Sequence, residues 1–439
     1  MRRTSVLVLT ACLAGLVLAV SGAFAFTGGG ADDAASPTTG GGVDPAALAT
    51  AGDLDATVAA LQDRLRAQPT DARSWATLGI AYVEQARLTG DATYYPKAAG
   101  ALRRSLRAQP DDNALALAGK ATLSSARHDF AAALRQARAA LRIDAYQVGA
   151  LSIRVDALTE LGRYRHALRA LEQADRRRPS LQTFARYSYA RELRGADRAA
   201  VVLLERALSS ASTAADRAYM LTLRADLERK NGQLGASDRS LAEALRGDPD
   251  NVAAAASQAR LAVARGDLAH AERQWQSLVA RAPLPEYVLQ LAELLQATGD
   301  GPAARAQYAV LEATAQLARS NGVNTDVEIA AYEADHGSPS RAVRSARAAW
   351  SAAPSIAAAD VLAWALHRTG RDEPALRYAR IATRLGTENA LPWIHRGSIE
   401  QSLGLSAAAT HLRRGLAADP GLSPWQADRA RQLLEAARR

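Results

Sequence analysis

Two kinds of helix punctuation recur through this 439-residue chain on one period. Pro69, Pro110, Pro179, Pro249, Pro283, Pro354 and Pro420 are spaced by 41, 69, 70, 34, 71 and 66 residues. Gly162, Gly195, Gly232, Gly266, Gly299, Gly337, Gly370 and Gly404 are spaced by 33, 37, 34, 33, 38, 33 and 34. The proline spacings sit near one or two multiples of the glycine spacing. Glycine supplies the backbone freedom that a tight helix–helix turn needs. Proline cannot continue a helix and stops it. Each unit therefore reads as helix, turn, helix, stop, and a chain built this way folds as a stacked array around a continuous core rather than as one globule.

Composition agrees with an all-helical array. Apolar residues make up 48% and aromatics only 5%, so small side chains carry the packing. The net charge is +9, almost all from arginine, with lysine only at Lys97, Lys120 and Lys230. The arginines are spread along the chain and interleaved with acids, as in Arg224, Asp226, Glu228 and Arg229, the pattern of solvated helix faces. An anionic envelope polymer or nucleic acid bound through arginines remains an alternative; it requires a contiguous positive groove.

The motif units resemble the tetratricopeptide repeat family. Trp75, Leu78, Gly79 and Tyr82 stand at the family's first-helix spacing. Trp393, Gly397, Ala409 and Pro420 resemble it in the last unit, and Ala271, Trp275 and Pro283 resemble its second helix. The resemblance spans about residues 53–439 and implies an all-α right-handed superhelical solenoid of about ten helix-turn-helix repeats with capping helices. It also implies a protein or peptide partner on the concave face. Bulky Trp75 and Trp393 are expected as core and small Gly79 and Gly397 as points of close helix approach. Two places depart from the period. Thr89 to Lys97, with Tyr94 and Tyr95, and Glu312 to Thr325 read as inserted loops, the former with two exposed tyrosines as candidate anchors. Leu54 to Arg66 reads as an N-terminal capping helix. Residues 423–439 read as the C-terminal cap, with Leu433 and Leu434 on the last hairpin and arginines facing water.

The N-terminus reads as an address. Arg2 and Arg3 precede an apolar run, Val6 to Phe26, long enough to span a bilayer, and Ala23-Phe24-Ala25 offers a signal-peptidase site. Residues 1–26 are thus a signal peptide cleaved before Phe26 or a retained anchor. In either case the arginine pair places the body outside the cytoplasmic membrane. The lone cysteine, Cys12, follows Leu9-Thr10-Ala11 as in a lipoprotein box, but the apolar stretch before it is short for that role. Residues 27–52, rich in Gly, Ser and Pro, read as a tether.

A search for chemistry yields little. The chain has no phosphate-binding glycine loop, no HExxH, no paired CxxC and no GxSxG. Its seven histidines are scattered along the chain. Asp335-His336 before Gly337 reads as a helix C-terminus rather than half of a catalytic pair. No enzyme activity, cofactor or metal is expected, and an accessory subunit of an enzyme is the residual alternative. In the related repeats that clamp acidic chaperone C-termini, lysines line the first helices; Lys120 and Lys230 stand alone, so no such clamp is expected.

A candidate partner face follows from the family register. With Leu151, Phe184, Leu221 and Ala255 at the packing position, residues five further on face the concave side: Asp156, Tyr189, Asp226 and Arg260. Residues eight further on add Thr159, Glu192 and Arg229. This mixed-charge set reads as a solvated face or as a polar peptide groove anchored by Tyr189.

Overall fold

A computed structural model describes residues 51–436. Among them are 22 helices and no strands. Helix α1 (Ala51–Ala67) precedes ten hairpins. These are α2 (Ala72–Thr89) with α3 (Tyr94–Ala108), α4 (Ala114–Ala126) with α5 (Phe130–Ile143), α6 (Val148–Glu160) with α7 (Tyr164–Arg177), α8 (Leu181–Glu192) with α9 (Asp197–Ser209), and α10 (Ala214–Lys230) with α11 (Leu234–Gly247). There follow α12 (Val252–Ala264) with α13 (Leu268–Arg281), α14 (Pro285–Ala297) with α15 (Gly301–Ser320), α16 (Asp326–Asp335) with α17 (Pro339–Ala352), α18 (Ile356–His367) with α19 (Asp372–Ala382), and α20 (Ala390–Ser402) with α21 (Ala408–Ala418). A final helix, α22 (Pro424–Ala436), ends the described chain.

The punctuation acts as its chemistry requires. Every proline of the ruler stands two residues beyond the end of α1, α3, α7, α11, α13, α17 or α21. The hairpin turns place glycine in the left-handed region, except that His128 takes that conformation between α4 and α5 and Gly337 does not need it. Helix starts are capped by side chains: Asp71, Asn113, Asp129, Asn251, Asp267 and Asp300 each accept a backbone N–H three residues on.

Within each hairpin the helices meet through small residues. Ala98, Ala133, Ala167, Ala200, Ser237, Ala271, Ala304, Ala342, Ala375 and Ala408 form a buried ladder, one per second helix. In the last unit the contact residue is Ala408, not the Ala409 that the family spacing selects: Ala408 is 4% exposed and Ala409 is only half-buried. A Cβ added at Gly79 comes within 2.6 Å of Leu102, and one at Gly397 within 2.8 Å of Leu412. Both glycines are therefore points of close helix approach. Trp393 is buried, with its indole N–H donating to Thr387 O at 2.6 Å.

Both inserted segments differ from the loops expected. Gly90 ends α2, and Tyr94 and Tyr95 form the first turn of α3. Tyr95 is 3% exposed in the core, and Tyr94 packs on Tyr82 with centroids 6.0 Å apart. The apolar rings are better buried than displayed, so the pair is no exposed anchor. The second insertion lengthens α15 to 20 residues and carries its end across to another hairpin.

That crossing belongs to a series. Asn324 donates its N–H to Arg127 O at 3.0 Å, and His128 Nδ1 lies 2.8 Å from Asn324 O. The Tyr164 hydroxyl accepts from the Ile356 N–H at 2.8 Å. Arg229 pairs with Asp419. These partners are 196, 192 and 190 residues apart. One superhelical turn thus takes between five and six hairpins, and the next turn touches it. The contact is backbone-close: a Cβ at Gly162 would overlap Pro354 O, and one at Gly195 would lie 2.5 Å from Gly386 O.

Gly162→Ala and Gly232→Ala separate this contact from ordinary turn strain. Both glycines have positive φ, +68 and +73, so each alanine costs about 1–2 kcal/mol from backbone conformation alone. Only Gly162 also has the neighbouring turn against it. Chemical denaturation should show a clearly larger loss for Gly162→Ala; equal losses would contradict the closed superhelix.

Candidate functional site

Closure converts the concave face into a polar lumen between the first helices, in which Arg87 of α2 is close enough to interact with Tyr219 of α10 and Tyr287 of α14, and Glu160 of α6 with Glu328 of α16. Six of the eight residues selected from the sequence lie there: Asp156, Tyr189, Glu192, Asp226, Arg229 and Arg260. Tyr94 and Tyr95 do not. The lining is not an ordinary solvated face, because its charges are partnered. Asp156 of α6 grips Arg186 of α8 through two bonds of 2.7 and 2.6 Å, and Arg186 is buried. Glu192 pairs with Lys230. Asp226 accepts from Ser257 at 3.0 Å and lies 3.5 Å from Arg229. Arg229 is only 2% exposed. Burial alone lowers a guanidinium's pKa, but Asp419 and Asp226 raise that of Arg229 above its ordinary value. Arg260 stacks over Trp275 at 5.7 Å. Removing one member of such a buried pair costs about 3–5 kcal/mol, because the other charge is stranded.

Tyrosines and one carboxyl respond to the enclosure. Tyr189 is half-buried, and burial, with Glu160 and Glu192 next, holds its hydroxyl well above the usual range. The Tyr219 hydroxyl is pushed up to about 12, mainly by burial. The Glu160 carboxyl is pushed up to about 8 by burial and then by Asp156 and Glu328. A neutral acid therefore sits in the lumen at neutral pH.

The far half of the lumen already holds a helix. The C-terminal segment leaves α21, turns at Asp419 and Gly421, and lays α22 across α14, α16 and α18. Gln426 Nε2 donates to Glu293 at 3.1 Å and to Asp335 at 3.2 Å. Arg429 Nη1 donates to Asp335 at 2.6 Å and its guanidinium lies 4.8 Å from the Trp364 ring centroid. Trp425 packs on His336 at 4.4 Å, and His336 stacks on Tyr308 at 4.5 Å. The Trp364 indole donates to Asp335 at 2.9 Å. Burial raises the Asp335 carboxyl, but Arg429, His395 and these hydrogen bonds outweigh it and hold it below its ordinary value. The C-terminal cap is thus more than a cover for the last hairpin, and Arg429 faces the groove rather than water.

Sequence reasoning missed Glu293, Asp335 and Trp364. The first and last were within reach: carrying the register onward takes Val288 to Glu293 and Ala359 to Trp364. Asp335 and His336 do end α16, with the His336 N–H on Tyr332 O, but both also meet α22.

A second concavity lies at the N-terminal end. A cavity of about 880 Å³ between α1, α2 and α3 is lined by Trp75, Tyr82, Arg66, Arg104 and Arg107 among others. Arg104 stacks over Trp75 at 4.6 Å. Among the described residues no three His, Cys, Asp or Glu side chains gather as a metal site, and no helix is long and apolar enough to cross a membrane. The apolar run Val6 to Phe26 and nearly all of the tether lie outside the described residues.

No family model matches the sequence, and no curated protein matches it. Among solved structures, the chain is similar to the APC/C hetero-tetramer Cut9-Hcn1, with TM-score 0.39 and 13% identity over 88% of this chain and 90% of that one. It is similar to yeast Tom70, with TM-score 0.34 and 13% identity over 90% and 87%. It is also similar to TTC0263, a thermophilic TPR protein of Thermus thermophilus, with TM-score 0.34 and 20% identity over 37% and 87%. Likenesses this distant carry no partner or activity to this chain. The fold is a tetratricopeptide-like solenoid. That statement rests on its repeating hairpins and their small-residue contacts.

Glu160 gives the lumen a pH signature. Unfolded, its carboxyl ionises near 4.5; folded, near 8. The folded state holds the proton over that window, so stability falls as pH rises through it and levels off above. Glu160→Gln removes the effect. Its melting temperature relative to the unaltered protein should climb between pH 4.5 and 8, whereas a pH-independent difference would show that Glu160 is not enclosed.

Proposed function

We propose that this chain is a non-catalytic protein–protein interaction scaffold working outside the cytoplasmic membrane, with the inner face of its superhelix as the binding surface. One observation carries the proposal. The inner side chains of α14, α16 and α18 already hold a helix by specific contacts, through Glu293, Asp335 and Trp364. The same wall continues through α6, α8 and α10 with Asp156, Tyr189, Glu192 and Asp226. Arg186 and Arg229 of this wall are each paired with acids, which speaks against a cationic groove for an anionic polymer. The site outside the membrane is supported by the Arg2-Arg3 pair ahead of the apolar run.

The pairing changes which variants are informative. Asp226→Arg places a like charge beside buried Arg229 and is expected to cost stability. Tyr189→Ala takes away an aromatic group without stranding a charge. In cells carrying the chain fused after residue 45 to an exported phosphatase, phosphatase activity is expected; activity of a cytoplasm-only reporter at that point would overturn the location. Crosslinking of the intact chain should capture a protein partner. Capture should weaken in Tyr189→Ala and persist in Arg169→Glu, which sits on α7, away from the inner face. Undiminished capture in Tyr189→Ala would remove this face as the binding surface.

A further inference from the structure

The C-terminal segment Asp419–Arg429 makes the kind of contacts that a ligand makes. One side of α22 covers the last hairpin through Ala430, Leu433 and Leu434, and the other side lies across the groove. Three groove sites receive it, each with a different chemical demand. Arg229 of α10, 2% exposed, takes the Asp419 carboxylate. At the same place Gly421 packs so closely that an added Cβ comes within 2.8 Å of Arg260 O. Glu293 and Asp335 take the Gln426 amide. Asp335 and Trp364 take the Arg429 guanidinium, one by a hydrogen bond and the other through its ring face. Trp425 packs on His336, and its ring centroid lies 5.4 Å from the Arg429 guanidinium.

We propose that this segment is a resident ligand of the groove, and that the protein partner is a helix-forming segment of the same chemistry which enters by displacing it. The partner presents a carboxylate for Arg229, a carboxamide seven residues later and a guanidinium ten residues later, as Asp419, Gln426 and Arg429 do. A tail joined directly to α21 competes at an effective concentration in the millimolar range, so the closed form excludes weak or mismatched ligands. Its docking combines these polar contacts with the apolar packing of Ala430, Leu433 and Leu434 on the last hairpin, so loss of the polar groups frees the groove-facing side of the segment while the hairpin stack stays in place. The inference rests on the inner face being a binding surface, and adds which part of it is guarded and what opens it.

The test uses the full chain and a labelled synthetic peptide copying residues 417–436. The unaltered protein should bind the peptide weakly, because its own tail holds the groove. The Gln426→Ala/Arg429→Ala chain should bind it at least about tenfold more tightly, since the tail's advantage is reduced while every groove residue is intact. A peptide carrying the same two changes should not bind, and adding Asp335→Asn to the variant chain should return binding to the weak level. Helicity and melting are followed in parallel. Hydrogen exchange on the unaltered chain gives a second readout: excess peptide should speed exchange in residues 424–436 and leave α4, at the other end of the stack, unchanged. The proposal is overturned if the folded double variant binds the peptide no better than the unaltered chain, if the changed peptide binds equally well, or if excess peptide leaves exchange in 424–436 unaltered. A double variant that instead dimerises by trading tails also overturns it, with a second copy as the occupant. Capture through Tyr189 probes the other half of the lumen, so failure of the scaffold reading and failure of this one are told apart.

Discussion

Backbone contact between residues some 190 positions apart turns this array of hairpins from an open coil into a closed one. A repeat solenoid needs only nearest-neighbour interfaces to be stable. Here Gly162 lies under the Pro354 carbonyl and Gly195 under that of Gly386, with no room for a side chain. The Tyr164 hydroxyl and Asn324 backbone add hydrogen bonds along the same seam. The rest of the architecture depends on this seam. It narrows the concave face into a lumen, withdraws water from its charges and so obliges them to pair.

That enclosure explains why the inner wall is polar and yet ordered. On an open face, Asp156, Glu192 and Asp226 would be hydrated and worth little as ion pairs. In the lumen they hold Arg186, Lys230 and Arg229, and Glu160 keeps its proton near neutrality. The same desolvation makes the α22 contacts selective. An arginine can leave water for that groove only because Asp335 and Trp364 replace what it loses.

Local periodicity makes the hairpins legible in the sequence itself. Proline and glycine act within a few residues of where they stand, so their spacing reports helix ends directly, and the inner-face register follows for Asp156, Tyr189, Asp226 and Arg260. What escapes depends on distant partners. Nothing near Asp419 announces Arg229, and nothing in the last turns of the chain distinguishes a cap from a groove-filling helix. Tyr94 and Tyr95 depart from expectation because a surplus of residues over the period reads as a loop, while a helix that starts earlier absorbs it at less cost in exposed apolar surface. Asp335-His336 is a helix end, as its place before Gly337 suggests, but its partners Gln426, Arg429 and Trp425 lie about 90 residues on.

Closure of the superhelix is the claim on which the lumen, the paired charges and the resident helix all depend. Pulsed dipolar spectroscopy across the seam tests it most directly. Spin labels at Arg163→Cys and Ala352→Cys, both exposed beside the Gly162–Pro354 contact, are carried by a Cys12→Ser chain. A closed superhelix gives one narrow distance distribution at the short end of the measurable range. A long or broad distribution would mean that successive turns stand apart, and would contradict it.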